Sequence, residues 1–427
     1  MQNTDHTLGG ERGPGTGTGA GVSSASVARR RVFYVPGFDP FPPRRYRELY
    51  RREAALQAGW SGHRIALQAD PGGQGWTVTA RIEGRDVEAR FEVLVWADLV
   101  QASMGQGIVA TYLQLLRTVW TYVGSGAIFR IVRLRKGPAI AALYPILALL
   151  AELAIALGLG ALVFHVARTV GGAMAGLVAG LAVTVAVLWL FRKADGWLYA
   201  WYLMHDYAHT AQAGGAYPAD LSERLQGFTQ RIGQALAEAW DEVLVVGHSS
   251  GAHLAVTALA DLLRSRPAEG GPALSVLTLG HVVPMVTFLP RADRLRADLR
   301  FLSAREDITW IDVTAPGDGC AFALCDPVAV SGVAPLDKRW PLVLSAAFTQ
   351  TLSPGRWRKM RWRFFRLHFQ YLCAFDRLSG NPGDYDYFAV TAGPLTLGQR
   401  FAMRSASPQR IETALSRHRG LAPEAAA

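Results

Sequence analysis

Apolar and polar positions along this chain follow two periods, with one long stretch between them that follows neither. Apolar, β-branched runs at Arg31 to Asp39 (a strand ending in a sharp turn), His63 to Gln68, Gly75 to Ile82 and Val87 to Val95 read as strands. Val243 to Val246, Leu274 to Leu279, Arg291 to Leu299 and Ile308 to Val313 read the same way. Apolar residues three and four apart predict helices over Phe41 to Gln57, Asp98 to Val123, Trp197 to Gln212, Asp220 to Ala239 and Ala252 to Ala260, with a long helix near Arg356 to Phe375. Strands that alternate with helices predict a mostly parallel sheet flanked by helices. Because strands stand on both sides of the aperiodic stretch, the pattern predicts one α/β domain interrupted by an insert.

The insert has its own signature. Ala139 to Ala167 is an almost unbroken apolar run, and Thr169 to Phe191 contains no charged residue. A helix of ~20 apolar residues crosses the hydrocarbon core of a bilayer, and both runs meet that length. Val166 to Gly171 reads as a turn, so the pair predicts a transmembrane hairpin. Gly172, Gly176 and Gly180 give its second helix a smooth face for close packing. Arg130, Arg133, Arg135 and Lys136 precede the hairpin, Arg192 and Lys193 follow it, and Arg168 alone sits in the turn. By the positive-inside rule both flanks are cytoplasmic. Trp189, Trp197, Tyr199, Trp201 and Tyr202 cluster at the exit as an interfacial belt would. Glu152, inside the first span, is expected to face the partner helix or a subunit.

The expected organisation follows. Residues 1–28 are a Gly-, Ser- and Thr-rich disordered arm without the apolar core of a signal peptide. Residues 29–137 and 193–409 are the two parts of the α/β domain, 138–192 the hairpin, and 410–427 a polar, alanine-rich tail read as a frayed helix. The location expected is the inner membrane, with two spans and both termini and the domain cytoplasmic. A net charge of +10 suits an anionic membrane face, and no nucleic-acid-binding motif is present. Three cysteines, Cys320, Cys325 and Cys373, make an odd count without metal-ligand spacing, which argues against a disulfide framework.

Two further patterns bear on chemistry. His205-Asp206-Tyr207-Ala208-His209 places two histidines four apart on a helix, but aspartate stands where a zinc-protease helix has glutamate and no third ligand is evident. It reads as a structural helix beside the membrane, and neither metal nor organic cofactor is expected. Arg356 to Tyr371 surrounds an apolar stripe with six basic residues, which suits either a helix on anionic headgroups or a solvated basic face.

The sharpest chemical signal is Gly247-His248-Ser249-Ser250-Gly251, set between a strand and a helix. Strand, G-x-S-x-G, helix is a nucleophile elbow, in which a tight turn exposes the serine hydroxyl at the top of the sheet. A serine needs a base to take its proton and a carboxylate to orient that base, and this elbow receives them in the order serine, acid, histidine. Asp318, in the loop after Ile308 to Val313, is the expected acid, and Asp312 inside that strand is the alternative. Beyond Asp318 only His368 and His418 remain, and His418 lies in the polar tail, so His368 is the expected base. The oxyanion hole is expected from the backbone amides of Ser250 and of Phe38, in the turn Pro36-Gly37-Phe38-Asp39. His248 and His253 flank the elbow and are expected to pack or hydrogen-bond there.

The elbow with Gly247 and Gly251, the early Pro-Gly-Phe loop and the ordered Ser249, Asp318 and His368 resemble the α/β-hydrolase superfamily over about residues 31–105 and 196–395. Ala323 to Pro327, His368 to Leu372 and Asp384 to Phe388 add to a likeness with bacterial membrane-associated members that carry a transmembrane hairpin ahead of the elbow. The resemblance implies a serine hydrolase of the esterase or lipase type acting on acyl esters or lipids at the bilayer. A serine-dependent acyltransferase or thioesterase, or a non-enzymatic scaffold that kept the fold, are the alternatives. The oxyanion loop lacks the H-G-G-G form of many lipases, so the motifs name no substrate.

Overall fold

A computed structural model describes residues 26–265, 270–381 and 383–422. The arm expected over residues 1–28 therefore lies outside the described residues up to residue 25. Eight strands form one mixed, mostly parallel sheet in the order β2-β3-β4-β1-β5-β6-β7-β8. They are β1 (Arg29–Val35), β2 (Arg64–Ala69), β3 (Gly75–Ile82), β4 (Arg85–Val93), β5 (Glu242–His248), β6 (Ala273–Leu279), β7 (Thr309–Thr314) and β8 (Leu342–Ser345). Strand β1 is paired in parallel on both sides, Val32 opposite Phe91 of β4 and opposite Leu244 of β5. Among the described residues only the β2–β3 and β3–β4 pairings are antiparallel.

Burial explains the strand sequences. Every residue of β5, and every residue of β1 after Arg29, is buried, as continuous β-branched runs in a doubly covered parallel sheet require. Towards the β2 edge, β4 instead alternates buried and exposed positions. Helices α1 (Arg44–Ser61), α2 (Ala97–Met104), α3 (Ile108–Gly124), α4 (Ala127–Leu134), α5 (Lys136–Leu198), α6 (Ala200–Ala211), α7 (Ala219–Ala235), α8 (Gly251–Ser265), α9 (Val283–Thr287) and α10 (Asp293–Ala304) cover the sheet and extend from it. One core packs Tyr34, Trp76, Phe91, Tyr371 and Phe388 on one face, and a second packs Phe33, Val245, Leu254 and Trp310 on the other. From β1 the chain crosses to the edge strand β2 and returns through β3 and β4, then runs outward from β5 to β8, so the connections after the adjacent strands β1 and β5 part to opposite faces of the sheet. Parallel α/β sheets bind their ligands in the crevice between such connections.

Several expectations need correction. Arg291 to Leu299 is not a strand but part of α10, because Leu295, Leu299 and Leu302 share one helical face that is buried in the second core. The long helix near Arg356 to Phe375 is broken into Pro354–Met360, Phe364–His368 and a 3-10 turn at Phe369–Leu372. The break lets Trp357 lie against Gly317 while His368 points at Asp318, which one straight helix cannot do. The helix over Asp98 to Val123 divides after Met104. Through residue 422 the tail is not helical: Ile411 bridges Cys325, and the Leu415 amide donates to the Val330 carbonyl at 3.1 Å.

Helix α5 turns back on itself at Gly172, whose φ of 81° only glycine adopts freely, so Val166 to Gly171 remains helical and the turn falls later than expected. The two limbs touch closely: a side chain on Gly180 would stand 2.7 Å from the Gly160 carbonyl. The element is long and apolar enough to cross a membrane, with a mean hydropathy of 2.5 in its most apolar window and only 22% of that window buried. At its base Trp201 Nε1 of α6 donates to Glu152 at 2.9 Å, so this carboxylate faces α6, not the other limb. Tyr112 of α3 donates to the Leu149 carbonyl at 3.1 Å. The root sits on the domain, where a Cβ on Gly137 would stand 3.1 Å from the Gly319 carbonyl oxygen.

Candidate active site

Strand β5 delivers Ser249 into a two-residue turn before α8. Its φ is 56°, a left-handed conformation that residues with a Cβ adopt only where the surroundings enforce it. The enforcement is visible. Ser249 N–H donates to the Leu279 carbonyl at 2.9 Å, and its own carbonyl accepts from Ala252 N–H at 3.1 Å. A Cβ on Gly251 would collide with the Val35 and Pro36 carbonyls, and one on Gly247 would stand 2.7 Å from the Ala252 Cα. Small residues at both positions are therefore a steric requirement of the turn.

Asp318 and His368, far apart in the chain, are brought together. Asp318, in the loop after β7, accepts a hydrogen bond from His368 Nδ1 at 2.7 Å. The Tyr371 hydroxyl donates to the same carboxylate oxygen at 3.0 Å, and the Cys320 amide donates to the other at 2.9 Å. Burial alone would raise the Asp318 carboxyl, but the His368 charge and hydrogen bond, the Cys320 amide and the Tyr371 hydroxyl together hold it below the ordinary value. Asp312 is placed elsewhere: its carboxylate accepts from Thr278 at 2.6 Å and lies 3.7 Å from His281 Nε2. His418 is also remote from this pair, with Leu415 and Ser416 of its segment bonded near Val330.

Ser249 and His368 line one pocket of about 70 Å³. No hydrogen bond joins the Ser249 hydroxyl to His368 among the described residues. What links the two segments is His248, whose Nε2–H donates to the His368 carbonyl at 2.9 Å. Burial, then the charge of His368, lowers His248 to about 3, so it stays a neutral donor. The Phe38 and Ser250 amides have no hydrogen-bond acceptor among the described residues, and both residues line the same pocket. Gly37 brings the Phe38 turn against Ser249, a Cβ there standing 3.3 Å from the Ser249 hydroxyl. Trp96 Nε1 fixes that turn by donating to the Pro36 carbonyl at 2.9 Å, and the Tyr202 hydroxyl donates to the Phe38 carbonyl.

Asp318, Cys320 and His368 present donor atoms within 4.8 Å of one another, a grouping that could hold a metal ion. Burial keeps the Cys320 thiol protonated by raising it well above its ordinary value, which makes it a poor ligand, and His368 Nδ1 already bonds Asp318. His205 is buried against the hairpin base, while the His209 ring lies 5.7 Å from Phe38, so the two histidines four apart do not form a ligand pair.

Two participants escaped sequence reasoning. Tyr371 follows His368 by three residues, a spacing that signalled its proximity but not its bond to Asp318. Asp206 lines the pocket from α6, whereas its sequence context indicates only a structural helix. No protein-family model, curated protein or solved structure matches the chain.

Proposed function

We propose that the chain is a membrane-anchored serine hydrolase of the α/β-hydrolase type that cleaves carboxylic acyl esters through an acyl-enzyme. The carrying observation is the strained Ser249 at the strand–helix turn, opening into the same pocket as a buried His368–Asp318 pair bonded at 2.7 Å. Ser249 attacks the ester carbonyl while His368 Nε2 takes its proton, and the contact between them tightens in the substrate complex. Asp318 holds the imidazole with Nδ1 protonated and stabilises the imidazolium that forms. The free amides of Phe38 and Ser250 face the oxyanion. His368 then protonates the departing alcohol, and water, activated by the same imidazole, releases the acid.

The anchor in this reading is the α5 hairpin, with the domain on the cytoplasmic side. Its exposed apolar limbs and flanking basic residues support that placement. From Leu153 to Gly171 the first limb rises roughly 28 Å, close to the ~30 Å thickness of a hydrocarbon core. Pro138 at the hairpin root, and Tyr202 and Phe365 beside it, line the pocket, so an ester that partitions into the bilayer reaches Ser249 along the anchor. In detergent or nanodiscs, Ser249→Ala should lower turnover of p-nitrophenyl esters by roughly 10⁴-fold or more and abolish fluorophosphonate labelling. Unchanged turnover in the folded variant would overturn the mechanism.

A further inference from the structure

Asp206 has no part in the mechanism above, yet it belongs to the same pocket. It lies on α6 one turn beyond Tyr202, partly buried. No hydrogen bond or ion pair reaches its carboxylate from any described residue. Asp39, the other carboxylate lining the pocket, is engaged, since it accepts from the Phe41 amide at 3.1 Å. The chain carries 44 Lys and Arg against 34 Asp and Glu, but among the described residues none of the pocket's lining side chains is a lysine or arginine. The walls around Asp206 are aromatic. Phe38, Tyr202, Tyr207 and Phe365 line the cavity, with the Tyr202 ring 5.8 Å from Phe365 and 6.2 Å from Phe38. The Tyr202 hydroxyl is spent on the Phe38 carbonyl, so it does not satisfy the acid.

A partly buried carboxylate without a partner, set among aromatic walls, favours a cation or donor that meets it. Ring faces add attraction for a positive charge, most of all for an ammonium whose methyl groups spread over several of them. An anionic group would find two carboxylates and neither lysine nor arginine. We propose that this pocket selects esters bearing an ammonium group, which Asp206 pairs with inside the box formed by Phe38, Tyr202, Tyr207 and Phe365. The inference rests on the serine-hydrolase reading for the bond that is cleaved, and on the pocket alone for what is bound.

Burial lifts the Asp206 carboxyl to about 7 against the pull of His368. Tyr122 of α3, Tyr202 and Tyr207 of α6, and Cys320 also face it, and burial raises each of them, keeping them neutral. His253, across the pocket, is lowered by burial to about 3 and is neutral as well. Cation preference therefore grows as Asp206 ionises.

The test uses the full chain in a non-ionic detergent, with Ser249→Ala blocking turnover. Decanoylcholine and its uncharged carbon isostere, 3,3-dimethylbutyl decanoate, are titrated calorimetrically. The choline ester should bind roughly tenfold tighter or better at pH 8, and by a smaller factor at pH 6. Adding Asp206→Asn should bring the two affinities within about twofold of each other, a ratio that general loss of protein cannot mimic. Equal affinities with Asp206 present, or a preference that survives Asp206→Asn, would overturn the proposal. With Ser249 restored, equal kcat/KM for both esters also counts against it while leaving the hydrolase reading intact. Selective binding without cleavage of either ester would remove the hydrolase reading and leave the ammonium site standing.

Discussion

Strand β5 and the limbs of α5 are both strongly apolar in sequence, yet they lie in opposite surroundings. All seven residues of β5 are buried by the chain itself, between β1 and β6 and under α8. In α5, by contrast, Leu162, Leu177 and Leu181 are more than half exposed, and Val170 is 90% exposed. Apolar surface on that scale needs a cover, and here the protein supplies none for most of the two limbs. Strand β5 thus specifies a fold, while α5 specifies a solvent. The same distinction separates precision from attachment. Ser249 owes its geometry to close contacts around β5, whereas the outer parts of the α5 limbs pack against each other and leave most of their apolar surface exposed.

Substitutions can break or sharpen this contrast. The largest effect is expected from Val245→Arg, which buries an unpaired charge in the second core. It should cost on the order of 5 kcal/mol or more and remove folded, fluorophosphonate-reactive protein. Next comes Leu162→Arg, expected to oppose membrane insertion by about 2.5–3.5 kcal/mol, read as a shift from the carbonate-resistant membrane fraction. If the limb faced water, the same change would leave fractionation unaltered, and the comparison would collapse. A subtler pair follows. Val276→Ala should lower the unfolding free energy by roughly 2 kcal/mol, while Leu162→Ala should leave that of the domain within roughly 0.5 kcal/mol, both measured by denaturant titration in nanodiscs.

The smallest expected effect concerns pH. Burial lowers His248 and His253 to about 3, so below about pH 6.5 the unfolded chain binds protons that the folded domain refuses. Their contribution to stability is complete above that pH and is lost as pH falls towards 3, by at most about 1.4 kcal/mol per unit for each histidine. His253→Gln should remove one proton from the slope of unfolding free energy between pH 6 and 5. A slope unchanged by this variant would show that His253 ionises freely in the folded protein.

Much of this organisation was legible in the sequence because it is local. The elbow is a strand, a turn and a helix in succession, and each part carries its own periodicity. The pairing of Asp318 with His368 was reachable through chain order, although nothing local announces a contact between residues 50 positions apart. Other features depend on tertiary packing and were not legible. Strand β8 has only four residues, too few to show a period. The break after Met360 arises because Trp357 and His368 must serve different neighbours. Asp206 looked like an ordinary polar helix position until the turn after β1 and the segment around Phe365 were folded against it.

The meeting of Gly137 with Gly319 has a consequence for inheritance. Because a Cβ on Gly137 in the first turn of α5 would stand 3.1 Å from the Gly319 carbonyl, a side chain there requires the loop that carries Asp318 to shift with it. A hairpin transplanted from another protein would have to bring an equally bare seam. Lineages that lengthen or re-angle α5 should therefore show matching changes far along the sequence, beside Asp318.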